Sequence, residues 1–86
     1  MHNLHKDDFL TTMHRTGSWV LKVCGSEHGI PHYHLLTPSG RAVVSITDGT
    51  ILAGAAPGKA LSEAQAWSTK HSAELLAEWR RLNPTL

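Results

Sequence analysis

The chain has 86 residues, 41% of them hydrophobic and 17% charged, with a formal net charge of +1 when histidine is neutral. That size supports one hydrophobic core, so a single domain over residues 1–86 is expected, and the near-zero charge excludes a surface that is basic throughout and coats a phosphate backbone. Cys24 is the single cysteine, which excludes an intrachain disulfide. No apolar run approaches the roughly 20 residues of a bilayer span, and the residues ahead of Phe9 include His2, His5, Lys6, Asp7 and Asp8 where a signal peptide would be apolar. A cytoplasmic protein without a membrane partner is expected. Small cores are marginally stable, so a homodimer or a partner protein is an expected source of further stability.

Residues 1–5 show no periodicity and read as a loose terminus. Over residues 6–16, Phe9, Leu10 and Met13 fall at helical spacing behind the capping candidates Asp7 and Asp8, which predicts a short helix ending at Thr16-Gly17. From Ser18 the period changes to two. Trp19, Leu21 and Val23 alternate with Val20, Lys22 and Cys24, predicting a strand that ends at a turn over 25–29. Pro31 opens a second strand over 32–37, Pro38-Ser39-Gly40 closes a hairpin, and 41–47 forms a third strand. Asp48-Gly49 is a strong hairpin signal leading into Thr50 to Ala53, so residues 18–53 read as an antiparallel meander. After the linker 54–58, residues 59–82 carry Ala60, Ala64, Trp67, Leu75, Trp79 and Leu82 on one helical stripe, with His71 as its polar member. Ser72 is a point where this long helix could divide. The predicted class is α+β: a short N-terminal helix, a sheet of three or four antiparallel strands, and a long C-terminal helix packed on one sheet face.

The chemistry concentrates in His28-Gly29-Ile30-Pro31-His32-Tyr33-His34. On an extended strand His32 and His34 point to one face and Tyr33 to the other, while His28 joins them if the turn folds back. Three imidazoles can bind zinc or another transition metal with a position left for water. They can equally work without metal or cofactor, one accepting a proton and another donating it, and solvated histidines are the bland alternative. Glu27, the nearest carboxylate in sequence, is the natural residue to orient one of them. His71 reads as a core histidine facing the sheet, and as a supporting member of the site if that face carries His32 or His34. Cys24 reads as a packed thiol.

The same run resembles a family of small bacterial domains of unknown function. That family has a histidine, spacers ending in two prolines, His-aromatic-His, a short hairpin, and a helix bearing Trp, His, Leu and Trp. Here these are His28, Pro31, His32-Tyr33-His34, Asp48-Gly49 to Gly54, and Trp67, His71, Leu75 and Trp79, with Ile30 replacing the first proline. The resemblance covers about residues 19–82, leaves the N-terminal element as an addition, and implies a toxin–antitoxin-like gene setting with a cognate antitoxin as partner. In layout the chain is also similar to the HicA class of messenger-RNA-cleaving toxins, through Gly25-Ser26-Glu27-His28.

The expectation that follows is a component of a toxin–antitoxin-like or mobile-element module that binds or cleaves RNA. His28, His32 and His34 would carry metal-independent acid–base chemistry, with Arg41 and Lys22 binding phosphate. The alternatives are a domain holding metal on His28, His32 and His34, and a non-enzymatic interaction module.

Overall fold

The computed structural model describes residues 9–27 and 29–84. Five strands, β1 (Leu10–Arg15), β2 (Val20–Cys24), β3 (His32–Thr37), β4 (Gly40–Ser45) and β5 (Ile51–Gly54), precede two helices, α1 (Gly58–Lys70) and α2 (Ser72–Leu82). The sheet is an antiparallel meander in the order β1-β2-β3-β4-β5. The α+β class and the three central strands match the sequence reading. Among the described residues no helix is long and apolar enough to cross a membrane.

Three expectations are corrected. The described part of the 6–16 helix is a turn residue followed by strand β1, which adds a fifth strand to the three or four expected; residues 1–8 lie outside the described residues. A register shift between Thr12 and His14 places Thr11 and His14 opposite Val23 and Leu21. This irregularity puts Met13 against the core as well, so the apolar spacing of β1 no longer alternates by two and imitates a helix. The long helix 59–82 is two helices that meet at His71, whose φ of −116° and ψ of 24° depart from helical values.

Alternation decides which sheet face is covered. Trp19, Leu21, Val23, Tyr33, Leu35, Ala42, Val44 and Ile46 are buried and pack with Ala60, Ala64, Leu75, Trp79 and Leu82 of the helices. Tyr33 lies on this side, where the Ser68 hydroxyl donates to its phenol oxygen, so Tyr33 points away from the His32 and His34 face as expected. The strand residues of opposite phase, including Lys22, His34 and Leu36, keep partial exposure on a face that carries no helix among the described residues.

A polar contact also ties β1 to α2. Glu78 accepts hydrogen bonds from Arg81 and from the Thr11 hydroxyl, and these hold its carboxyl below the usual glutamate range, Arg81 being the larger cause. A depressed folded value gives stability that is present above the ordinary glutamate value and lost as pH falls through the folded one. Replacing Glu78→Gln should therefore lower the urea midpoint at neutral pH, and the difference from wild type should shrink in acid.

Candidate metal centre

The centre forms where β2 ends and β3 begins. Continuing the pairing of Val20 with Leu36 and Lys22 with His34 sets Cys24 opposite His32 at the mouth of the β2–β3 loop. The loop turns sharply: Ser26 holds a φ of 58° and Gly29 one of 88°, both in the left-handed region. The bend after Cys24 brings Glu27 back over the open face. Asn83, just past α2, fixes the loop from behind. Its side-chain carbonyl accepts the Glu27 backbone N–H at 3.0 Å, and its amide donates to the Cys24 carbonyl at 3.1 Å.

Three donor side chains, Cys24, Glu27 and His34, meet there, and His32 joins them through the Glu27 carboxylate. His32 Nε2 lies 2.8 Å from Glu27 Oε1, and His34 Nε2 lies 3.0 Å from the same oxygen and 3.3 Å from Oε2. The ligand atoms of Cys24, Glu27 and His34 all fall within 4.8 Å of one another. His32 Nδ1 is 2.8 Å from the Ile30 carbonyl. A carbonyl can only accept, so Nδ1 carries the proton, and in the neutral ring Nε2 presents a lone pair to the carboxylate. Two acceptors face each other across 2.8 Å, an arrangement that calls for a proton or a cation between them. A histidine anchored by Nδ1–H to a backbone carbonyl, with Nε2 free to bind, is the usual support of a metal-ligating imidazole. Burial, then the Glu27 carboxylate, push the Cys24 thiol up, while Lys22 opposes them.

The ring of His32 packs against Trp79, with centroids 4.7 Å apart, so its side chain is only 12% exposed, against 27% for both His34 and Glu27. The centre is therefore open to solvent on the His34 and Glu27 side.

The sequence-derived candidates separate in space. His32, His34 and Glu27 come together, and Lys22 pairs with His34 on the neighbouring strand. Arg41 lines a cavity of about 160 Å³ together with His34, Val43 and Ala53. His28 lies outside the described residues. His71 is elsewhere: its ring stacks on Trp67 at 4.2 Å, Trp67 stacks in turn on His14 at 4.7 Å, and His71 Nδ1 contacts Glu74. Cys24 is the member that sequence reasoning set aside. It shares the outward phase of Lys22 and closes the strand next to the turn, a position that could have marked it.

A two-layer α+β domain with a mixed thiol, carboxylate and imidazole cluster at one loop mouth is thus the class that fold and site define. The profile of a family described as a domain of unknown function, DUF4160, matches residues 19–80. The chain belongs to that family. No curated protein and no solved structure matches it.

Proposed function

We propose that this protein binds a transition metal ion, zinc being the best fit, on Cys24, Glu27, His32 and His34. The observation that carries the proposal is the convergence of the Cys24, Glu27 and His34 ligand atoms, with His32 Nε2 on the same carboxylate oxygen. Thiolate, imidazole and carboxylate are the donors zinc takes. Zinc bonds of about 2.0–2.3 Å set the ligands of a tetrahedron roughly 3.3–3.8 Å apart. The ligand atoms of Cys24, Glu27 and His34 lie within 4.8 Å of one another, and both imidazoles contact the carboxylate at 2.8 to 3.3 Å, so side-chain shifts are needed to bring all four donors to that spacing.

The same convergence favours metal over metal-free RNA cleavage. An in-line displacement at phosphorus needs its proton acceptor and proton donor on opposite sides of the reacting group. Here His32 and His34 both contact one carboxylate, Glu27, and so sit on the same side.

Protein purified without a histidine tag, stripped with chelator and titrated with zinc against a chromophoric competitor should take up one equivalent. The double variant Cys24→Ser, His34→Ala should lose that binding. Uptake unchanged in the double variant would refute the assignment.

A further inference from the structure

The strand register arranges the open sheet face in rows. One row runs Arg15, Val20, Leu36, Arg41 from β1 to β4, and the next runs Thr12, Lys22, His34, Val43. The first row sets two arginines on either side of an apolar pair, and the second sets a lysine beside a histidine of the metal centre. Arg15 and Arg41 are exposed, and none of Arg15, Lys22 and Arg41 has an ion-pair partner among the described residues. Glu27 is the described carboxylate that borders this face. Glu63, Glu74 and Glu78 belong to the helices packed on the other side, and Asp48 to the β4–β5 turn.

We propose that this face binds single-stranded RNA through its phosphates, with Arg15 and Arg41 gripping the backbone and Lys22 bringing one phosphate to the metal centre. Charge complementarity carries the first part. Three cations without ion-pair partners among the described residues share one face of a chain whose net charge is only +1, so the positive potential is local and suits an extended anion. Distance carries the second. Strands about 4.8 Å apart put the two arginines, three strands from one another, roughly 14 Å apart. One phosphate group cannot reach both, whereas a chain of phosphodiesters can. An open sheet face suits a single strand. The face offers no Phe, Tyr or Trp for base stacking, so binding should depend on charge and ignore sequence.

The proposal rests on the metal reading only for the phosphate that approaches the ion, and the test separates the two. Binding of fluorescein-labelled oligouridylate is followed by anisotropy in EDTA, at a pH above the histidine range, over a salt series. Three phosphate contacts predict a slope of log K against log salt of about −2, and Arg15→Ala or Arg41→Ala should each reduce its magnitude by about 0.7. Lys70→Ala, on α1, should leave both slope and affinity unchanged. Absence of binding at low salt, or an equal loss from Lys70→Ala, would overturn the proposal. Added zinc should then tighten binding in wild type and not in Glu27→Ala. A chelated-state slope of about −2 with no zinc effect would keep the RNA face and overturn the link to the centre.

Discussion

Replacing Glu27→Ala should weaken zinc binding by about a hundredfold or more. Loss of a residue that merely supports a ligand already costs about 10–100-fold, and Glu27 does more than support. One of its oxygens contacts both His32 and His34, and its charge offsets that of the ion in a half-buried site. The variant should still fold, because the loop is held through the Glu27 backbone N–H and the Cys24 carbonyl, both bonded to Asn83, and neither needs the Glu27 side chain. The melting temperature in EDTA checks that condition, and competitive zinc titration measures the effect. An affinity within threefold of wild type (~0.6 kcal/mol) would show that Glu27 is not a ligand.

The second large effect is on stability. Trp79→Ala should cost about 3–5 kcal/mol, the usual loss for a buried tryptophan, out of the roughly 5–15 kcal/mol that holds a domain folded. Trp79 is 4% exposed within the core cluster, and its ring is the wall against which His32 rests. Its backbone carbonyl also accepts the N–H and side-chain amide of Asn83, the residue that fixes the β2–β3 loop. Losing the ring should therefore disturb the metal centre as well as the core. Urea unfolding in EDTA isolates the packing loss, and Trp79→Phe should recover part of it by retaining an aromatic wall. A Trp79→Ala midpoint equal to wild type would contradict the packing described here.

How much of this could be read from the residues follows from how local each feature is. Strand β3 and the opposed directions of Tyr33 and His34 follow from backbone alternation alone, and both are found. The hairpin at Asp48-Gly49 is equally local: Asp48 accepts the Thr50 N–H, and Gly49 takes a φ of 76°. Strand β1 was illegible because its irregularity near Met13 breaks the two-residue period, leaving Phe9, Leu10 and Met13 at a helical interval. The break at His71 falls one residue before Ser72, the point where the sequence reading allows the long helix to divide. What no window of sequence contains is the stack around it, His71 on Trp67 and Trp67 on His14 from β1.

For the centre, the His32 and His34 pair was legible and its ligand environment was not. Glu27 turns back over the face because Ser26 adopts a left-handed conformation, which a serine does not advertise. Cys24 joins because antiparallel register sets it across from His32, a relation fixed by the loop length between two strands. The stripe on the last helices suggested a core histidine at His71, joining the site only if the His32 and His34 face lay beneath the helix. The helices cover the Tyr33 face instead, and His71 ends beside Trp67 and Glu74.

Cobalt substitution tests the central claim most directly, since Co²⁺ takes zinc's place and reports its ligands through its absorption spectrum. The metal-stripped protein should bind one equivalent of Co²⁺ with the intense visible bands of a tetrahedral site and a thiolate-to-cobalt charge-transfer band in the near ultraviolet. Cys24→Ser should abolish the charge-transfer band, and His34→Ala should change the visible bands. A spectrum indistinguishable from that of hexaaquo Co²⁺ at saturating protein would contradict a metal centre at Cys24, Glu27, His32 and His34.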